Sequence, residues 1–355
     1  MIKMNQFCLY IKDQAMRHPS MTPQDAVKLC FQAAFGAEHI LSDYVKALEF
    51  LHKEYSETKV MDMDVFEPIS DEYVRINIAA WKYKGLPVEW LFEMFYQTAK
   101  KSRKNSSSLF MEYLEIVSTP AEEGILPFDN SMWLSFKNQY LSTGIKPLHH
   151  SNKYRDLEHP AYRVVSKKFV TILPILEKAI TLPAGDTPKI IAIDGRAASG
   201  KTTVAELLST ALKADTIHMD DFFLPPELRI PERYTQSGGN IHYERFCSEV
   251  LPFLKKSKAF SYRCFDCSIM DFGSSCMIKS DTWRIVEGSY SHHPIFGDYA
   301  DLFVFCDVSK KEQMQRIIKR NGNTLAERFA KEWIPMEEQY FDTEKIKENA
   351  DIIIE

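Results

Sequence analysis

The sequence predicts an α/β domain built on a parallel sheet, preceded by a separate, mostly α-helical domain. Three observations lead there. Beyond residue 188, short β-rich runs alternate with helical patterns: KIIAID (189–194), DTIHMD (215–220), WRIVEG (283–288), DLFVFCD (301–307) and DIIIE (351–355). These runs are almost continuously apolar, as strands covered on both faces by helices must be. Before about residue 145 there is no such alternation, and apolar residues recur at helical spacing.

In the first segment, Thr22-Pro23-Gln24-Asp25 reads as a helix start, with Thr22 as N-cap, Pro23 at the first helical position and Asp25 three residues after the cap. Val27, Cys30, Phe31 and Ala34 then share a face, and Gly36 ends the helix. A second helix is expected from Ser42, burying Val45, Leu48, Leu51 and Tyr55; others are expected over 87–100, 107–117 and 130–141. The polar stretch STGIKPLHHSNKYRDLEHP (142–160) reads as a connector, followed by a linking helix over 161–181 and a turn-rich break, LPAGDTP, at 182–188. Three parts follow: a helical domain over 1–145, a connector over 146–187 and the α/β domain over 188–355. In the last part helices are expected over 202–212, from 243 to about 256 with a kink at Pro252, over 310–320 and from 325 to about 340.

A length of 355 residues allows two or three domains. The net charge of −5 argues against a nucleic-acid partner, because such proteins carry a basic excess. No run approaches the ~20 apolar residues of a membrane span. The opening MIKMNQFCLYIKDQ lacks the features of a signal peptide, so a cytoplasmic location is expected. Seven scattered cysteines fit reduced thiols. Cys264 and Cys267 form one C-x-x-C with Cys276 nearby, but nothing completes a four-ligand zinc set.

Gly195-Arg196-Ala197-Ala198-Ser199-Gly200-Lys201-Thr202 fits G-x-x-x-x-G-K-[ST] between a strand and a helix. In that setting the glycines let successive amides point into one concavity at the positive end of the helix dipole, a cradle for phosphate. Gly195, Ala197, Ala198, Ser199, Gly200, Lys201, Thr202 and Thr203 are therefore the expected nucleotide-binding residues. Lys201 suits the β- and γ-phosphates, and the Thr202 hydroxyl suits Mg²⁺.

Ligands of open α/β sheets bind outside the carboxyl ends of the strands. Asp220 and Asp221 stand at the end of the second strand, where either carboxylate suits proton abstraction or metal binding. Glu287 ends the third strand and suits Mg²⁺. His292 and His293 lie on the loop that follows. The helix beginning at Ser309 carries Lys310, Lys311, Arg316, Lys319 and Arg320; Arg316 and Arg320 are the candidates for stabilising a transferring phosphoryl group.

From IAIDGRAASGKTT, HMDDFF, GGNIHYERF (238–246), IVEGSY, DLFVFCDVSKKEQMQRIIKR and ADIIIE, the segment 188–355 resembles the uridine kinase and phosphoribulokinase family of P-loop kinases. That resemblance implies a five-stranded parallel P-loop NTPase-type core, ATP as donor and Mg²⁺. It favours Asp220 over Asp221 as the catalytic aspartate, implies that Lys201, Arg316 and Arg320 serve the transfer, and gives Glu287 the acidic strand end. Asp221, Phe223, His242, Tyr290 and His293 are then expected around the acceptor. The sequence departs from the nucleoside kinases where Asn240-Ile241-His242-Tyr243 replaces an Asp-His-Pro run, and where Ser289 to Pro294 replaces an apolar continuation. These departures weaken a nucleoside acceptor more than they weaken kinase activity. The first 145 residues are similar to the helical extension of uncharacterised bacterial uridine-kinase-like proteins.

The expectation is an ATP-dependent kinase acting on a hydroxyl of a small nucleoside- or sugar-like metabolite. An alternative is an ATP-binding regulator whose helical domain binds a partner. A separate activity of the helical domain would draw on Glu38, His39 or His52.

Overall fold

A computed structural model describes residues 2–37, 43–101 and 106–355. The chain divides into two compact units, 1–170 and 171–355. In the first, helices Ile2–Arg17, Pro23–Phe35, Ser106–Glu122 and Asn130–Ser142 enclose one core around Ile11, Phe110 and Trp133. The helix start at Thr22 forms as expected: the Asp25 carboxylate accepts from the Thr22 amide (3.0 Å) and hydroxyl (2.7 Å). Gly36 closes that helix at φ +64°, and a Cβ there would stand 2.5 Å from the Tyr73 ring, so only glycine fits.

The expected start at Ser42 lies outside the described residues, as do Glu38 and His39. Helix Tyr44–Glu57 is capped by the Asp43 carboxylate, which accepts from the amides of Val45 (3.0 Å) and Lys46 (3.2 Å). Leu51 is its buried residue, whereas Val45, expected in the stripe, is exposed. His52 lies on the exposed side, 3.3 Å from Glu89.

Alongside its helices the mostly helical first unit carries strands that the sequence did not reveal, a three-stranded antiparallel sheet of β1 (Phe66–Pro68), β2 (Tyr73–Asn77) and β3 (Tyr162–Ser166), in the order β1-β2-β3. β3 also corrects the linking helix expected from 161. Its Tyr-Arg-Val-Val-Ser run pairs residue for residue with β2, and β-branched residues fit that pleated surface. A 3₁₀ helix (Lys167–Ile172) follows β3 and leads into an α-helix, Leu173–Ala179, with Pro174 in its first turn, where a missing amide costs nothing.

In the second unit, β4 (Lys189–Gly195), β5 (Asp215–His218), β8 (Trp283–Glu287), β9 (Leu302–Cys306) and β10 (Ile352–Ile354) form a five-stranded parallel sheet ordered β10-β9-β4-β8-β5. All five expected strands are present. Register aligns their carboxyl ends: Glu287 pairs with Ile193 and with His218, and Gly195 pairs with Cys306.

An antiparallel hairpin of β6 (Phe260–Asp266) and β7 (Asp271–Ile278) lies between β5 and β8 in sequence. A bulge between Arg263 and Phe265 leaves Cys264 out of register, and it forms a disulfide with Cys276 rather than with Cys267. The helix expected from 243 to 256 breaks into Tyr243–Glu249 and Leu251–Leu254 at Val250, because Pro252 tolerates only a first turn. Further on, Lys310–Arg328 bends at Gly322, passes through a π-helical turn (Phe329–Trp333) and continues as Ile334–Glu344.

Candidate active site

The 195–202 loop joins β4 to helix Lys201–Leu212. No side chain caps that helix: Gly200 occupies the N-cap, and the first-turn amides keep their donor capacity at the positive end of the dipole. The Ser199 hydroxyl is enclosed in the loop and has no hydrogen-bond partner among the described residues. Buried Lys201 curls back over the loop, its Nζ donating to the carbonyls of Gly195 (2.7 Å) and Arg196 (3.0 Å) and lying 3.3 Å from the Ser289 hydroxyl. Free amides at the first turn of a helix beside an ammonium make a site for an anion.

Beside the loop, the Thr202 hydroxyl donates to Glu287 Oε1 (3.1 Å), while His218 Nδ1 contacts Glu287 Oε2 (2.8 Å). That hydrogen bond holds the His218 imidazole above its ordinary pKa. Hydroxyl and carboxylate oxygens are the hard donors Mg²⁺ takes, so Thr202 and Glu287 fit that ion.

Asp220 and Asp221 follow β5 in a 3₁₀ turn, Met219–Phe222, and the turn separates their roles. Asp221 points toward the hairpin, where its carboxylate accepts from the Tyr262 hydroxyl (2.8 Å). Asp220 accepts no hydrogen bond among the described residues and keeps an open face to solvent. Its carboxyl is nonetheless raised above the usual range, first by desolvation within the recess and then by the nearby Glu287 charge, with Lys201 and His218 opposing.

The 238–242 segment lies along this turn. The His242 amide donates to the Phe222 carbonyl (2.6 Å), the Leu224 amide donates to the Asn240 carbonyl (3.2 Å), and Phe223 bridges to Ile241. Phe223 is half-buried here, and the His242 ring contacts Glu244 (3.0 Å). Tyr290 is buried with its ring 4.8 Å from that of Tyr340. His293 has both ring nitrogens committed: Nδ1 accepts from the Ile295 amide (3.1 Å), and Nε2 donates to the Ser237 carbonyl (3.0 Å). Its neighbour His292 stacks flat on Phe303 at 3.6 Å, and burial pushes its pKa down to about 4.

Arg316 reaches the loop, donating to the carbonyls of Ala198 (3.1 Å) and Ser199 (3.0 Å). Arg320 does not: its Nε contacts Asn321 (2.8 Å) on the exposed side of the helix.

Two acidic residues central to the loop escaped sequence reasoning. Glu337 is buried; its Oε2 accepts from the Ala197 amide (2.9 Å) and its Oε1 from the Ser289 hydroxyl (2.7 Å). The available signal was a carboxylate between Ile334 and Tyr340–Phe341, on the apolar stripe of an amphipathic helix. Asp194, wholly buried, accepts from the amides of Gly195 (2.7 Å), Tyr290 (3.2 Å) and His292 (3.0 Å) and from the Tyr340 hydroxyl (2.8 Å). Burial raises its pKa to about 6 against the lowering effect of those amides. The folded state thus holds this proton more tightly than the unfolded chain, and the contribution of Asp194 to stability declines as pH rises from the ordinary carboxylate range through about 6. Replacing Asp194 by Ala strands three amides and a phenol, and is expected to cost about 3 kcal/mol at neutral pH. In urea unfolding the midpoint would fall with little change of slope; an unchanged midpoint would refute the assignment.

No family model matches the sequence, and no curated protein matches it. Among solved structures, one described as a possible uridine kinase from Bacillus stearothermophilus is similar over 52% of this chain and 98% of its own, at 21% identity and a TM-score of 0.42. A D-glycerate 3-kinase from Cryptococcus neoformans var. grubii is similar over 48% of this chain and 86% of its own, at 14% identity and a TM-score of 0.34. Likeness this low carries no argument about chemistry; the sheet order and the strand–loop–helix connection at residues 195–202 of the second unit themselves establish an α/β fold of the P-loop type.

Proposed function

We propose that the second unit is an ATP- and Mg²⁺-dependent kinase that phosphorylates a hydroxyl of a small nucleoside- or sugar-like metabolite. One observation carries this reading above all. A carboxylate with no partner among the described residues, Asp220, opens at the strand-end edge within electrostatic reach of Lys201 and Glu287. A nucleotide-binding switch has no use for such a base, whereas phosphoryl transfer to a hydroxyl does.

Lys201 and the amides of residues 198–203 would hold the β- and γ-phosphates, and Arg316 would steady the loop from its carbonyl side. Bound at Thr202 and Glu287, Mg²⁺ would supply neutralisation of phosphate charge. Asp220 would take the proton of the acceptor hydroxyl, a role its raised pKa suits. Phe223, His242, Tyr290, His293 and Asp221 would shape the acceptor side, the last through Tyr262.

The test is ADP release from the full chain with ATP and Mg²⁺ against a panel of nucleosides, sugars and hydroxy acids. Acceptor-dependent release supports a kinase. Release at the same rate with and without every acceptor would favour the regulatory reading.

A further inference from the structure

The first unit holds a cavity of about 680 Å³, a size typical of small-molecule sites. Its walls come from helices Pro23–Phe35 and Tyr44–Glu57, the 147–150 segment, helix Asn152–Glu158 and β3. One part carries Phe95, Leu148 and Phe50, the last 65% exposed at the rim, with the guanidinium of Arg163, itself paired to Glu54, near both phenyl rings. Another is cationic, with Lys28 and Arg155.

These two cations have no direct ion pair among the described residues. Among the described residues neither has a carboxylate within ion-pair distance: Lys28 Nζ donates to the Leu148 carbonyl (3.2 Å), and Arg155 contacts the side-chain oxygen of Asn152. The nearby Asp25 charge offsets this only in part and makes no direct contact with either cation: its oxygens accept from Thr22 and Ser151 (amide 3.0 Å, hydroxyl 2.7 Å) and pair with His150 Nδ1 (2.8 Å). His150 in turn contacts the Tyr162 hydroxyl (2.6 Å), and burial pushes its pKa down to about 4, leaving it neutral. Burial, with like charge from Arg75 and Arg155, lowers the Lys28 ammonium to about 8. A half-buried ammonium facing other cations is relieved by an anion.

We propose that this cavity binds a small organic anion, with a phosphate or carboxylate group against Lys28 and Arg155 and an apolar or aromatic body between Phe50, Phe95 and Leu148. The site is independent of the phosphate loop and of the kinase reading.

The test titrates the full chain with phenyl phosphate, benzoate and uncharged benzyl alcohol, followed by ligand-observed NMR. Phenyl phosphate or benzoate is expected to bind saturably and benzyl alcohol far more weakly; the stronger anion identifies the preferred group. Lys28→Met and Arg155→Ala should each weaken that anion about tenfold or more, as loss of one charged contact does. Lys201→Ala removes any contribution from the phosphate loop and should leave the binding that depends on Lys28 and Arg155 unchanged. Arg155 is exposed, so its variant tests the site even if Lys28→Met lowers the melting temperature. Absence of saturable binding by both anions would overturn the proposal, as would binding that survives Arg155→Ala and Lys28→Met.

Discussion

Asp220→Asn is expected to lower acceptor-dependent ADP release by about three orders of magnitude while leaving nucleotide affinity within about twofold. Asn keeps the shape of the side chain but accepts no proton at the pH of the reaction. Because Asp220 accepts no hydrogen bond among the described residues, the substitution disturbs little structure, and the loss falls on turnover. The raised pKa sets a second expectation. The reactive form is the carboxylate, so activity should fall on acidification, with the limb lying above the usual aspartate range. Glu287, Lys201, His218 and Asp221 all act on this titration. A variant that retains most of its activity would remove Asp220 from the role of base.

Gly195→Ala is expected to be strongly damaging for a single added methyl. Gly195 ends β4 at φ +137°, and a Cβ there would stand 2.1 Å from the Cys306 carbonyl oxygen and 2.7 Å from its nitrogen. The obstacle is backbone, which no rotamer change relieves. The β4–β9 ladder would have to part where Arg196 also donates to the Cys306 carbonyl (3.2 Å). A loss of about 4 kcal/mol in stability and a collapse of nucleotide affinity follow from strain at such a position. Denaturant unfolding with a fluorescent-nucleotide titration measures both; stability within about 1 kcal/mol of the parent would contradict the packing described here.

The parallel sheet was legible because each strand is a short apolar run, and burial on both faces leaves that signature whatever the neighbours are. The phosphate loop was legible because its chemistry is local. Strands β2 and β3 were not, since they pair with one another across a long stretch of sequence, and the half-exposed patterns of β6 and β7 resemble loop composition although the two are hairpin neighbours. Arg75 shows the same limit: a charge in β2 looks like a surface residue, yet it is buried against Gln14, Gln32 and the Tyr162 ring. In the site, Lys201, Thr202 and Glu287 converge as their motif positions imply. Glu337 and Asp194 could not be placed from the sequence, because what they bind is backbone, which carries no residue-type signal. Arg316 and Arg320, one turn apart, are equivalent on paper; the helix presents only the first to the loop.

Glu337 has a further consequence for the loop. Its carboxylate takes the Ala197 amide from one side of the Gly322 bend, while Gln313, from the other side, donates to the Ala197 carbonyl (3.1 Å). The peptide groups flanking Ala197 are thus anchored at both ends by a segment more than a hundred residues away. In hydrogen–deuterium exchange the Ala197 amide should be protected far beyond a surface turn, and its exchange should follow the opening of helix Ile334–Glu344 rather than local fraying. Exchange at this one amide would therefore report the motion of the distant helix.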